Sequence, residues 1–434
     1  MDMNLYNQEA VQTLLMPLDQ ATASARLRRL AQNLERFRAG EVAWPVPTDY
    51  VNNHIHTSYS FSPYSPCDAA YRAWLSGLTT AGIMDHDSVS GAMEFIHAGQ
   101  LLGIATTVGF ECRCSMAGTP FENRRLNSPD QTGLAYVACH GIPHGQLELA
   151  DRWLAPCREK RNARNRRMTA RLNERIGEEA LRLDFDQDVL PLSKHHEGGS
   201  VTERHLLYAL SRRILAVYGA GQWAIRFLVE GLHIPLDESE QKALSDAADP
   251  LYAYTLLGIL KKHLVERFYI DAADECPTVP AFTAFARSIG AIPAYAYLGD
   301  VGQSVTGDKR TQAFEDSYLD ELVPWLAKNG FCALTYMPSR NSQAQLKRLM
   351  TLCEQYGLFQ ISGEDINSPG QSFVCPTLNM PAYRHLIRAT WALIGHEKAA
   401  TADADSGMFS EKTLAKWPDL QERIARFSVI GRTR

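Results

Sequence analysis

The chain lacks any long apolar run. Nowhere in its 434 residues does a stretch approach the roughly 18 to 20 apolar residues that a membrane-spanning helix needs, so no membrane partner is expected. It also lacks a surplus of positive charge. With 44 Lys and Arg against 49 Asp and Glu, the net charge is −5, which favours neither nucleic acid nor an anionic membrane. The start, Met1-Asp2-Met3-Asn4-Leu5-Tyr6, has no basic segment followed by an apolar one. No signal peptide is read there, and a cytoplasmic location is expected. A disulfide framework is missing too. The 9 Cys are odd in number and scattered, as expected of reduced, mostly buried thiols. Cys112-Arg113-Cys114 is too short and isolated for a zinc knuckle. There is no internal repeat and no low-complexity tract. What is present is an ordinary globular composition, 45% hydrophobic and 21% charged, long enough for one large domain with insertions or for two domains.

Residues 1–48 read as a helical N-terminal extension. Leu27, Leu30, Leu34 and Phe37 recur at helical spacing with Arg26, Arg28, Arg29 and Arg36 between them. Trp44-Pro45-Val46-Pro47 ends it. Strand-like runs then lie near 50–56, 79–84, 104–111, 133–139, 291–297, 331–337 and 358–363. Helix-like runs follow most of them, at 67–77, 91–102, 313–329, 341–356 and 381–395. Such alternation predicts a parallel sheet with helices outside, either open or closed into a barrel slightly short of eight units. Residues 49–150 and 279–400 supply it, and 401–434 read as a helical tail. Between them, 151–278 is almost all helical in pattern and reads as an insertion. Its Arg-rich start (Arg158, Lys160, Arg161, Arg164, Arg166, Arg167, Arg171, Arg175) reads as a solvated helix face, with an anion-binding helix as the alternative.

Candidate ligands fall at strand ends. His54 and His56 close the first run, and residues i and i+2 of a strand share a face, so both imidazoles can reach one point. Asp85, His86 and Asp87 end the second run, Glu111 ends the third, His140 follows the fourth and Asp365 follows the seventh. In α/β barrels the C-terminal strand ends converge on one rim, where sites form.

That order, His-x-His, Asp-His, Gly-x-Glu, a later His and a late Asp, resembles the polymerase and histidinol phosphatase (PHP) family of metal-dependent phosphoesterases. The resemblance covers about 49–150 and 280–370. It implies a distorted (βα)7 TIM-like barrel with a metal centre at the C-terminal rim. It also implies that His54, His56, Glu111 and Asp365 hold one ion, that Glu111 bridges to a second held partly by His140, and that His86 serves a further one. Departures accompany it. Ser60-Phe61-Ser62-Pro63 stands where the family often has a His or Asp, Tyr297 where it often has His, Asn367 where it usually has His, and Asn52 where it has Asp. One firmly held ion, or two, is therefore expected rather than three.

Mixed His and carboxylate ligands suit Zn, Mn or Fe better than Mg. The expected function is hydrolysis of a phosphate ester of a small molecule or nucleotide by a metal-activated water. Asp85, Asp87 and His86 are the candidates for handling its proton. Arg113, Arg204, His205, Arg340 and Lys194 are candidates for holding the anionic ester. His144 flanks the site, while His195, His196, His233, His263 and His396 fit no motif and read as surface or cap histidines. Two alternatives stand beside this reading. One is an amidohydrolase-like C–N hydrolase, which would also use His-x-His and a late Asp. The other is a degenerate barrel that binds a metal or a phosphorylated ligand without turnover.

Overall fold

The computed structural model of the chain describes residues 18, 22–128, 130–300 and 313–433. Most of 1–21 therefore lies outside the described residues, and the N-terminal extension appears as a helix over Ala23–Arg38. Six strands form one curled sheet in chain order. They are β1 Thr80–His86, β2 Ala105–Ser115, β3 Leu134–His140, β4 Ile292–Ala296, β5 Ala333–Tyr336 and β6 Phe359–Ser362. β1 pairs with β2 in parallel, and β4, β5 and β6 pair in parallel. β3 runs antiparallel to both of its neighbours.

The expectation of an unbroken parallel array is corrected at β3. A parallel neighbour needs a crossover, usually a helix. The link from β2 to β3, residues 116–133, carries no helix among its described residues, so the chain turns back on itself.

The run at 50–56 is extended but is not a full ladder strand. Ile55 makes isolated parallel bridges to Ile83 on one side and Ile366 on the other. Backbone bonds run from Ile55 N–H to Gly82 O (3.0 Å) and from Met84 N–H to Ile55 O (3.0 Å). Across the segment, His56 N–H donates to Ile366 O (2.9 Å) and Ile366 N–H to His54 O (3.1 Å). The segment thus joins β1 to the chain that follows β6, and the two edges of the sheet meet across it. Glycine permits this close approach on both sides. A Cβ at Gly82 would stand 2.7 Å from Asn53 Cα, and one at Gly363 would stand 2.6 Å from His54 Cβ.

Helices cover the outside. Pro66–Leu75, Ala92–Leu102, Val279–Ser288, Leu319–Lys328 and Gln343–Tyr356 pack around the sheet. Their starts follow local chemistry. Ser65 caps the first of these, with Pro66 at the first helical position, and Ser342 with Gln345 forms a capping box on the last. The helix His385–Ala402 seals the inner face. Its Ala389, Ala392 and Leu393 pack with Met84, Ala138, Ile292, Ala294 and Ala333 of the strands.

The stretch expected as an insertion is helical, but its first helix already starts at Leu147 and runs to Ile176. With Glu203–Tyr218 and Tyr252–Phe268 it encloses a second apolar core built on residues such as Met168, Leu206, Leu210, Leu256 and Phe268. The Arg-rich start is not simply a solvated face. Arg158, Arg161 and Arg164 are buried, whereas Lys160, Arg166, Arg167, Arg171 and Arg175 are exposed. The buried three point inward because carboxylates meet them there. Arg158 pairs with Asp151 (2.9 Å), Arg161 with Asp87 (2.5 Å) and Arg164 with Glu275 (2.7 Å).

Candidate metal centre

Four remote segments deliver their polar side chains to one place. The bridging segment brings His54 and His56, β1 brings His86, β2 brings Glu111, and the loop after β6 brings Asp365. Ligand atoms of His54, His56 and Glu111 all lie within 4.8 Å of one another, and all three residues are buried. His54 Nε2 lies 3.2 Å from His56 Nε2 and 3.7 Å from Glu111 Oε2. His56 Nε2 lies 3.2 Å from Asp365 Oδ1, and His86 Nδ1 lies 3.1 Å from Glu111 Oε2. The register explains two of these placements, because His86 stands opposite Glu111 in the parallel ladder.

The donors fit a divalent ion. Two nitrogens bound at about 2.1 Å to one ion would stand about 3.0 to 3.4 Å apart for bond angles between octahedral and tetrahedral. The two Nε2 atoms have that spacing. The charges agree as well. Burial alone would push the Glu111 carboxyl up, yet His54 and His86 outweigh it and hold Glu111 ionised, well below the usual carboxylate range. Burial likewise opposes the charge on Asp365, but His56, His54 and Arg204 hold it well below the usual range. Burial and the neighbouring His86 lower His56, which favours the neutral imidazole that a metal requires. For His54, burial pulls down but Glu111 and Asp365 pull up more strongly.

His140 is not at the rim. Because β3 is reversed, His140 stands opposite Gly109 on β2 and Ile292 on β4. Gly109 lies two residues before Glu111, so the His140 ring shares Glu111's face one layer deeper. It is buried, its Nε2 has no hydrogen-bond partner, and burial with His54 nearby lowers it to about 3.

The other expected site residues are placed as follows. Asp85 Oδ1 accepts from Thr57 N–H and Ser60 Oγ–H, and its Oδ2 from Thr57 Oγ1–H, each at 2.6 Å. Asp87, in a left-handed conformation (φ 49°), is paired with Arg161, and Arg158 donates to its carbonyl at 2.9 Å. Arg113 is buried against Glu275 and Tyr269, so its fork faces the insertion. Arg204 donates to Asn367 Oδ1 (2.9 Å) and Ser368 Oγ (3.1 Å), beside Asp365. His205 is buried, with Nδ1 accepting from Thr202 N–H (3.0 Å) and its ring edge-on to Phe61. Arg340 donates to Leu298 O (3.1 Å), Lys194 pairs with Glu197 (2.7 Å), and Tyr297 donates to Asp316 (2.5 Å). His144 pairs with Glu397 (3.0 Å). His396, read as a surface or cap residue, is instead buried, with Nδ1 accepting from Met408 N–H (2.9 Å).

Sequence reasoning missed several residues that shape the centre. Asn52, noted only as a departure, accepts from His54 N–H and Glu364 N–H, both at 3.0 Å, and so ties the segments that carry His54 and Asp365 together. Asn367 donates to Asp365 Oδ1 (2.7 Å). Ser60 touches both Asp85 and His56. The clue to these residues was their position inside or beside the ligand motifs.

No family model matches the chain, and no curated protein does. Solved structures do. A protein from Bifidobacterium adolescentis assigned as a metal-dependent phosphoesterase aligns with TM-score 0.51 and 20% identity over 80% of this chain and 97% of its own. An amidohydrolase from Chromobacterium violaceum, solved with bound sulfate and no metal, aligns with TM-score 0.50 and 17% identity over 78% of this chain and 96% of its own. At these identities the likeness is one of fold.

Proposed function

We propose that the chain is a metal-dependent hydrolase of the PHP type that cleaves a phosphate ester of a small molecule or nucleotide. One observation carries the reading: His54, His56 and Glu111 converge within 4.8 Å of one another, with Asp365 3.2 Å from His56. Two buried or half-buried carboxylates kept ionised beside imidazoles are the environment in which a divalent cation is retained. The fold shared with a protein assigned as a metal-dependent phosphoesterase supports the same reading.

In this reading His54, His56, Glu111 and Asp365 hold one ion of the Zn, Mn or Fe class, and His140 is the candidate for holding a second. Such an ion, when bound, lowers the pKa of water and polarises a phosphoryl oxygen. The chain's own residues supply the rest. His86, a quarter exposed with its Nδ1 3.1 Å from Glu111 Oε2, is the proposed group for handling a proton. Arg204, beside Asp365 at the mouth, is placed to orient the anionic ester. The insertion helices exclude water on the side of Phe61 and His205.

The test is turnover by purified protein loaded with Zn or Mn, on a panel of phosphate esters and amides, with His54→Ala and Glu111→Ala as controls. Phosphate release that both substitutions abolish is expected. Equal release by wild type and variants sinks the assignment. Amide cleavage without phosphate release would instead favour a C–N hydrolase, the reading suggested by the fold shared with an amidohydrolase. Against it, none of β1 to β6 carries the lysine that a carboxylated bridge would need.

A further inference from the structure

We propose that Asp85 and Ser60 are positioning residues that fix the ring tautomer of His56, so that its Nε2 lone pair is presented to the ion. The inference rests on the metal-centre reading above and assigns Asp85 a task other than proton transfer.

The observations are local and chemical. Asp85 is buried, 1% exposed. A carboxylate can only accept, and this one accepts three hydrogen bonds at 2.6 Å, from Thr57 N–H, Thr57 Oγ1–H and Ser60 Oγ–H. Three of its roughly four lone-pair sites are therefore taken by the turn that carries Thr57 and Ser60. Ser60 is also fully buried, and Ser60 N–H donates to Thr57 O at 3.0 Å, so the turn holding its side chain is fixed. Ser60 has a single hydroxyl proton, and the short bond to Asp85 takes it. What Ser60 Oγ turns toward His56 Nδ1, 3.3 Å away, is therefore a lone pair. Only an Nδ1–H can face it favourably.

The consequence is at the other ring nitrogen. A neutral imidazole protonated at Nδ1 carries its lone pair at Nε2. That atom faces His54 Nε2 and Asp365 Oδ1, each 3.2 Å away. Asp365 pulls in the opposite sense, because a carboxylate beside Nε2 attracts a proton there and would block the ligand atom. The chain Asp85–Ser60–His56 opposes that pull. It is built like the outer-shell carboxylate contacts that orient metal-bound histidines elsewhere, with a hydroxyl interposed. Ser60 stands in the short stretch after His-x-His where the resembled family often has a His or Asp, and in this proposal that stretch supports a ligand instead.

The experiment measures Zn affinity by chelator competition for wild type, Ser60→Ala, Asp85→Asn and Glu111→Ala, with the unfolding midpoint of each as a fold check. Ser60→Ala removes the acceptor, and Asp85→Asn keeps the shape but weakens the pull on the Ser60 proton. Both are expected to raise the Kd for Zn by roughly 10- to 100-fold, whereas Glu111→Ala loses the ion. A second measurement needs no variant to fold. In Zn-loaded wild type labelled with 15N-histidine, His56 is expected to show an Nδ1–H proton protected from solvent exchange. Unchanged affinity in both folded variants, or an unprotected His56 Nδ1–H in wild type, overturns the proposal. If wild type takes up no Zn at all, the metal-centre reading has failed, and that outcome is distinct from a failure of the relay.

Discussion

Two buried histidines make the fold sensitive to mild acid. His205 Nδ1 accepts from Thr202 N–H at 3.0 Å and His396 Nδ1 accepts from Met408 N–H at 2.9 Å. A nitrogen that accepts must be unprotonated, so both rings are neutral in the folded chain. Burial lowers His205 to about 3 and His396 to about 4. Unfolded, each returns to about 6.5. Between those values the unfolded state binds protons that the folded state does not, so stability rises with pH and falls on acidification. Each group contributes about 1.4 kcal/mol per pH unit, hence about 2 kcal/mol at pH 5 relative to neutral and about 4 kcal/mol for the pair. His54 and His144, raised by Glu111 and Glu397 respectively, act in the opposite sense. Their contribution is complete below pH 6.5 and is lost as pH rises through their folded values. The decisive quantity is therefore a difference. Urea unfolding between pH 7.5 and 5 should show His396→Asn, whose amide oxygen can still accept from Met408, losing about 2 kcal/mol less than wild type over that interval. Both proteins are compared without added metal, so that metal linkage does not enter. Identical pH profiles for the two proteins would refute the reasoning.

Three further outcomes are expected. Arg26→Met leaves Glu94, which accepts both Arg26 nitrogens at 2.6 to 2.7 Å in a buried setting, without its counter-charge, although Cys67 N–H still donates to it. Chemical denaturation should register a loss of about 3 to 5 kcal/mol, and a loss under 1 kcal/mol would contradict the burial argument. Gly363→Ala puts a Cβ 2.6 Å from His54 Cβ and 2.8 Å from its backbone nitrogen. It should weaken Zn affinity more than it lowers the unfolding midpoint, as measured by chelator competition alongside thermal denaturation. Arg204→Ala should raise KM for a phosphate ester roughly 10-fold or more, the scale of one charge-assisted contact, while metal content stays at the wild-type level. A fall in metal content would show that Arg204 acts through Asp365 instead.

Much of the fold was legible because periodicity is local. The six ladder strands lie within a few residues of the runs read from the sequence, and three of the outer helices start at a Ser or Thr cap. Strand direction was not legible, because it depends on which distant segment supplies the hydrogen bonds. Even so, the helix-free link of 116–133 held a clue to the reversal of β3. The cluster was readable at His54, His56 and Glu111, since residue type and strand-end position coincide there. The arginines were not. Arg161 and Arg164 read as surface charge and Arg113 as a donor to the ester, whereas Glu275 and Asp87 are folded against them. His396 was misread for a similar reason. Its partner, Met408 N–H, is a backbone group that residue type does not reveal.

The most direct test of the metal centre is the ion content of the purified chain after exposure to Zn or Mn and removal of the excess, measured by elemental analysis beside His54→Ala and Glu111→Ala. At least one tightly held ion per wild-type chain is expected, and its loss from both variants. Wild type that retains no ion, or variants that retain as much as wild type, would contradict a cation held among His54, His56, Glu111 and Asp365.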